Sequence, residues 1–180
     1  MYPEVLERFL SKDSILLHLS YLHTIRLKHS VNEKSIPEIC GKSIAEITKM
    51  KLKSEIKSDI LPHIISIKSH ELYFDSFSPN QIPCHKIKLF YSSHEDFLYR
   101  IFLLARESVG GFVYIYSDPY GRPKFDIRFP KDSRPLPYTP LLSIDMHEHA
   151  FFSDYRFDSD RYIKALLPYL DLTRLFKNNT

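Results

Sequence analysis

The amino-acid sequence predicts an α+β protein, with an N-terminal antiparallel helical hairpin followed by a small three-stranded antiparallel sheet with flanking helices. Two long N-terminal stretches, Val5 to His29 and Pro62 to Phe77, repeat apolar residues at helical spacing. Short runs rich in β-branched and aromatic residues follow them, separated by turn residues. The length of 180 residues suits one domain or two small lobes sharing a core. We predict a helical hairpin domain over residues 1–80 and an α/β domain over 81–180.

The two N-terminal helices each carry one histidine on an apolar face. His18 lies between Ile15 and Leu22 in the first helix. His70 has the same kind of position in the second helix, which Pro62 opens because proline is tolerated in a first turn. A single histidine on such a face is more often a satisfied core residue than a ligand. Neither histidine alone therefore predicts a site.

The remaining elements follow from periodicity and turn residues. The Lys-rich segment 39–59 reads as one or two solvated helices, to which we assign no function. In the C-terminal half we predict, in chain order, a helix beginning at Ser92 or Ser93, a strand from Gly110 to Tyr116, a returning strand from Lys124 to Phe129, a strand from Leu141 to Asp145, and a final helix from Asp160 to Phe176 interrupted at Pro168.

Composition restricts the classes of function. The net charge of +3 is too small to indicate nucleic-acid binding, although it favours the approach of a small anion. No apolar run is long enough to cross a membrane. Cys40 and Cys84 lack the spacing of a zinc site and form no disulfide framework, which predicts reduced thiols. Because the first residues also lack the features of a signal or transit peptide, we expect a cytoplasmic protein.

The most informative stretch is Leu141 to Phe152. Its apolar first half suits a buried strand and leads directly into Asp145, and His149 follows four residues later. If the chain turns from strand into helix here, the carboxylate and the imidazole can reach one point in space, which suits a transition metal. The alternative is a helix-capping aspartate followed by a solvated histidine.

The residues around Asp145 and His149 resemble a known sequence signature. Residues 145–152 read Asp-Met-His-Glu-His-Ala-Phe-Phe, which is similar to the Asp-x-Trp-Glu-His-Ala-Tyr-Tyr segment that supplies two of the four metal ligands in iron/manganese superoxide dismutases. The sequence departs from that pattern at His147, Phe151 and Phe152. The segment around His70, Ser-His-x-x-Tyr-Phe, resembles the family's Asn-His-x-x-Phe-Trp segment. On this resemblance His70 is the second ligand and His18 the first.

The resemblance implies an enzyme that disproportionates superoxide to dioxygen and hydrogen peroxide. It implies one manganese or iron ion per chain, held by three histidines and one aspartate, a ligand set that suits either metal. It also implies a homodimer, because Glu148 matches the family's glutamate that reaches across a two-fold axis to the partner's last histidine ligand. No nucleic-acid or membrane partner is expected.

Several outer positions depart from the family. Where iron enzymes place a glutamine, four residues before His70, the chain has Ser66, and the manganese-type position in the loop at 131–133 has no glutamine either. Arg26 stands where the family has its gateway tyrosine, and we predict that it attracts superoxide. His147 is predicted to supply a substitute hydrogen bond.

These departures leave three readings of the function open. The chain is a divergent dismutase acting with iron or manganese, or a catalytically inactive dismutase-like structural protein such as a mitochondrial ribosome component. In the third reading the metal serves another redox reaction or storage. The retained ligand types favour the first reading.

Overall fold

The computed structural model describes residues 4–28, 39, 41–52, 60–79, 84–130, 132 and 134–176. Over these residues the chain forms six α-helices and one three-stranded antiparallel sheet, so the predicted α+β class is confirmed. The helices are α1 (Lys12–Lys28), α2 (Ile44–Leu52), α3 (Leu61–Asp75), α4 (His94–Glu107), α5 (Glu148–Tyr155) and α6 (Ser159–Leu166). The strands are β1 (Phe112–Ser117), β2 (Pro123–Arg128) and β3 (Leu142–Asp145). Short 3-10 helices lie at Glu4–Arg8, His85–Leu89, Leu167–Tyr169 and Leu172–Phe176.

Local side-chain chemistry sets where several helices begin. Ser11 precedes α1, and its hydroxyl oxygen accepts a hydrogen bond from the backbone N–H of Ser14 at 3.1 Å. Ser93 caps α4 in the same way by accepting from the N–H of Asp96. Pro62 lies in the first turn of α3, where its missing N–H costs nothing. These caps satisfy backbone N–H groups that have no partner inside the helix.

The sheet has the order β2-β1-β3, so β1 is central and hydrogen-bonds to both neighbours. Its side chains alternate between two apolar clusters, as a strand buried on both faces requires. Val113 and Ile115 belong to the main core, whereas Phe112 and Tyr114 belong to a smaller cluster with Leu136 and two residues of α2. The central strand therefore separates the main core from a second apolar layer.

Packing brings three distant parts of the chain to one place. Helix α1 packs against α3 and α5, and α3 also packs against β3. The end of β3 and the start of α5 consequently face the buried sides of both N-terminal helices.

Some predictions fall on parts of the chain that the structure does not describe. They concern the break at 32–37, the end of the Lys-rich segment, Cys40 and the domain boundary between residues 80 and 81, and they stay predictions. Cys84 is a free thiol. Within the described ranges, no helix combines the length and apolarity that crossing a bilayer requires.

Arg156 ends α5 in a backbone conformation that favours glycine. Its φ of 55° and ψ of −124° are those of the first central residue of a type II′ turn, which the hydrogen bond from the Asp158 N–H to the Tyr155 carbonyl oxygen closes at 3.0 Å. We expect Arg156→Gly to raise the free energy of unfolding by about 1 kcal/mol, measured by urea denaturation, because the strain is relieved.

The matched control for this prediction is Arg156→Ala. It also removes the cation–π contact between Arg156 and the Phe152 ring, but it keeps a Cβ in the strained conformation. A glycine variant no more stable than the alanine variant would show that the turn stores no strain.

Candidate metal centre

Four side chains from four elements meet at one point. His18 comes from α1, His70 from α3, Asp145 from the end of β3 and His149 from the first turn of α5, and one ligand atom of each lies within 4.8 Å of the others. Asp145 Oδ2 lies 3.0 Å from His18 Nε2, 3.2 Å from His70 Nε2 and 3.4 Å from His149 Nε2. The Nε2 atoms of His70 and His149 are 3.0 Å apart.

The turn from β3 into α5 explains how Asp145 and His149 converge. Asp145 is the last residue of the strand, and the Met146 N–H still donates to the Gly111 carbonyl oxygen at 2.9 Å, which extends the pairing by one residue. Helix α5 begins at Glu148, so His149 lies in its first turn. The strand-to-helix turn expected from the sequence is present.

The centre is buried, and part of its polar surface has no hydrogen-bond partner. The side chains of His18 and Asp145 are fully buried. Asp145 Oδ2 and both ring nitrogens of His18 make no hydrogen bond with any described group. Leaving such atoms buried without partners is costly, which indicates that something else satisfies them.

A single metal ion would satisfy Asp145 Oδ2 and one ring nitrogen of His18, the Nε2 that faces it. Two ligands bonded to one ion at about 2.1 Å and separated by 90–120° lie roughly 3.0–3.6 Å apart. The shortest distances among the four donors, 3.0 to 3.4 Å, fall in that range. A donor set of three nitrogens and one oxygen suits iron or manganese, and it lacks the thiolates of a structural zinc site. The residues therefore fit a bound transition metal.

Neighbouring hydrogen bonds orient two of the four donors. His70 Nδ1 donates to the Ser66 carbonyl oxygen at 2.6 Å, which turns the lone pair of Nε2 toward the centre. Asp145 Oδ1 accepts from both the backbone N–H and the Nδ1 of His147, at 2.9 and 2.6 Å. Because these bonds occupy Oδ1, Oδ2 is the oxygen presented to the three histidines.

The protonation states suit metal binding at neutral pH. Burial lowers the pKa of His70 to about 4 and also lowers the pKa of His18. Burial alone would raise the pKa of Asp145, but the proximity of His70 and hydrogen bonds from His147 hold that pKa well below its usual range. Neutral imidazoles and an ionised carboxylate are the forms that bind a metal.

Tyr21 forms part of the wall of the centre, although the sequence analysis did not identify it. Its ring stacks on His149 with ring centroids 3.9 Å apart, and it lies 5.7 Å from the His70 ring. The side chain is 40% exposed, so it lies between the buried donors and solvent. Its position three residues after His18, on the same side of α1, was the available signal.

A second feature that the sequence analysis missed is a buried pair of tyrosines. The hydroxyls of Tyr73 and Tyr162 are 2.9 Å apart, and the Tyr162 hydroxyl donates to the backbone carbonyl oxygen of Asp145 at 3.1 Å. This chain of hydrogen bonds links the backbone of Asp145 to α6 through Tyr162 and to α3 through Tyr73.

The other predicted residues lie around this centre with different partners. The His147 imidazole hydrogen-bonds to Asp145, which is one of the predicted metal ligands. The Arg26 guanidinium pairs with the Glu71 carboxylate, and both side chains are about half exposed. Glu148 is exposed. The charge of Arg26 is therefore offset by its neighbour.

Comparison with known proteins identifies the family. The profile described as "Iron/manganese superoxide dismutases, C-terminal domain" matches residues 84–178, which is just over half of the 180 residues. Asp145 and His149 lie inside the matched region, and His18 and His70 precede it. No curated protein matches the chain. The matched region and the arrangement of the four donors lead to one conclusion: the chain belongs to the iron/manganese superoxide dismutase family.

Proposed function

We propose that the protein disproportionates superoxide to dioxygen and hydrogen peroxide at a mononuclear site for iron or manganese. The proposed ligands are His18, His70, Asp145 and His149. The observation that carries the proposal is the convergence of three imidazole nitrogens on Asp145 Oδ2, a fully buried carboxylate oxygen without a hydrogen-bond partner among the described groups.

The charge of the donor set suits this reaction. A bound ion would supply the alternation between two oxidation states that dismutation requires. One carboxylate and three neutral imidazoles offset a single unit of its charge, so the centre stays cationic and favours an anionic substrate. His147 and Ser66 hold the donors in position through the hydrogen bonds described above.

A small anion would approach from the side of Tyr21. The His149 and His147 side chains are partly exposed there, whereas Asp145 and His18 are fully buried. Because Glu71 offsets its charge, Arg26 is a weaker candidate for attracting superoxide than its sequence position predicts.

The proposal predicts metal-dependent superoxide decay. Protein reconstituted separately with iron and with manganese is assayed by following superoxide absorbance, with rates normalised to bound metal. We expect at least one metal form to accelerate decay and Asp145→Asn to lose the acceleration. Asp154→Asn is the matched control, because it neutralises a carboxylate in α5 that accepts from the Ser11 N–H at 2.7 Å and is not one of the donors. Wild-type protein that binds metal without accelerating superoxide decay would contradict the proposed enzymatic activity.

The inactive, structural alternative has one observation in its favour. Asp132 lies in the loop where manganese enzymes carry their glutamine, and its carboxylate accepts from Arg134 Nη2 at 2.6 Å. The Asp132 carboxylate is therefore paired with Arg134 and not with one of the four donors. If metal binds but decay is unchanged, this alternative is favoured.

We also propose a homodimer, with Glu148 at the interface. The support is the exposure of Glu148 directly beside His149 at the start of α5. Sedimentation of the wild-type protein is expected to give a dimer that Glu148→Ala weakens. A wild-type monomer at micromolar concentration would refute this part of the proposal.

A further inference from the structure

A cavity of about 420 Å³ lies beside the candidate metal centre. Side chains of α1, α2, α3 and the Phe112–Tyr114 face of β1 form its walls, and His147 belongs to its lining. The exposed side chains of Thr24 and Phe129 also line it, so it reaches the protein surface. Its volume falls within the range of roughly 300–1,000 Å³ that is typical of small-molecule sites. A diatomic anion needs far less space.

The two formally charged side chains of the lining, Arg128 and Asp132, belong to one charge-balanced network with Asp126 and Arg134, which lie outside the lining. Arg128 donates through Nε and Nη2 to Asp126, at 3.0 and 2.6 Å, and Arg134 pairs with Asp132 at 2.6 Å. Arg128 also lies 3.4 Å from Asp132, which joins the two pairs into one network. Two guanidiniums and two carboxylates leave no net charge to compensate an ionic ligand. The cavity is therefore suited to a neutral molecule.

Aromatic rings form much of the cavity wall. The rings of Phe112 and Tyr114 lie nearly parallel, with an interplanar angle of 7° and centroids 6.0 Å apart. Tyr21 and Phe129 contribute two more rings. Flat aromatic ligands gain most from such walls, because stacked and edge-to-face contacts add to the burial of apolar area.

His147 supplies a polar contact at the end of the cavity nearest the candidate metal centre. Its Nδ1 lies 2.6 Å from Asp145 Oδ1, and because an ionised carboxylate only accepts hydrogen bonds, the proton belongs to Nδ1. In the neutral imidazole Nε2 then carries a lone pair, and no described group donates to it. A ligand that reaches His147 is favoured if it offers a hydroxyl donor.

We propose that this cavity binds a small, neutral aromatic molecule bearing a hydroxyl group. The hydroxyl donates to His147 Nε2, and the ring packs against Phe112 and Tyr114. Phenols are the simplest members of this class. The inference does not rest on superoxide dismutation, because no contact in it involves the metal or the four donors.

The test compares two probes, one with a hydroxyl donor and one in which a methyl group replaces the hydroxyl hydrogen. 4-Methylphenol and its methyl ether, 4-methylanisole, are titrated into the full chain, with and without metal, and binding is followed by ligand-observed NMR. We expect the phenol to bind about tenfold more tightly, because the ether leaves His147 Nε2 unpaired. Equal affinities, or no binding of either probe, would overturn the proposal.

Variants then locate the bound probe. His147→Phe is expected to reduce the tenfold preference for the phenol to less than about twofold, because the acceptor is lost. Ser66→Phe fills the cavity from α3 and is expected to weaken both probes at least about tenfold. Ser20→Phe, at an exposed position of α1 outside the lining, is the control and should change neither affinity.

If Ser66→Phe fails to fold, as judged by circular dichroism, Thr24→Trp replaces it. Thr24 is exposed where the cavity meets the surface, so a larger side chain narrows the entrance without entering the core. Affinity for 4-methylphenol that survives the substitution used would place the probe elsewhere and overturn the proposal.

Discussion

Replacing Asp145 with asparagine is expected to abolish the stabilisation of the protein by iron or manganese while leaving the metal-free chain folded. An ion that binds only the native state adds about 4 kcal/mol to the free energy of unfolding when its free concentration is 1,000 times the dissociation constant. The amide nitrogen of asparagine can donate to a histidine lone pair, and its oxygen can keep the two hydrogen bonds from His147. The free energy of unfolding of the metal-free variant should therefore lie within about 1 kcal/mol of the wild-type value.

Urea denaturation with and without metal measures both quantities. Asp154→Asn is the counterpart, because its amide oxygen can still accept from the Ser11 N–H and the variant should keep the full gain from metal. If Asp145→Asn retained the wild-type gain, the ion would bind elsewhere.

The metal-free protein is expected to lose stability as the pH falls from about 6.5 to about 4. The pKa of His70 is about 4 in the folded protein because burial disfavours the charged imidazole, whereas the unfolded chain has the ordinary value of 6.5. Between these pH values the unfolded state binds more protons than the folded state. The free energy of unfolding therefore decreases as the pH is lowered. The shift at His70 alone corresponds to about 3 kcal/mol, and His18, whose pKa is also lowered, acts in the same direction.

The measurement is the free energy of unfolding of the metal-free protein at several pH values between 4 and 7. His70→Gln removes one titrating group, so its curve should be flatter over this window. A variant with the same pH dependence as the wild type would show that His70 takes up its proton equally in both states.

The sequence predicted the elements whose signals are local. Ser93 marks a helix start through its side chain, which caps α4, and Pro62 marks one through its missing N–H, which lies in the first turn of α3. Asp145 and His149 are four residues apart, so one strand-to-helix turn determines their relation. The helical spacing around His18 and His70 identified buried helix faces. The prediction that these two faces meet at one site came from the family resemblance.

Contacts between distant segments could not be predicted in the same way. The stacking of Tyr21 on His149 depends on how α1 meets α5, and the pairing of Arg26 with Glu71 depends on how α1 meets α3. The sequence predicted a hydrogen bond from His147 but not its partner, and in the structure the His147 Nδ1 donates to Asp145. The cavity exists because side chains from several separate segments leave space between them. No single stretch of sequence can predict such a combination.

The burial of the donors affects how the protein would acquire its metal in a cell. His18 and Asp145 have no solvent contact, and the four donors come from segments that are together only after α1 and α3 have packed on β3 and α5. An ion would therefore reach all four donors most readily while the chain is folding or when α1 opens locally. We expect a metal bound at this centre to exchange slowly with the surrounding pool, so that the ions present during biosynthesis would influence which metal is bound.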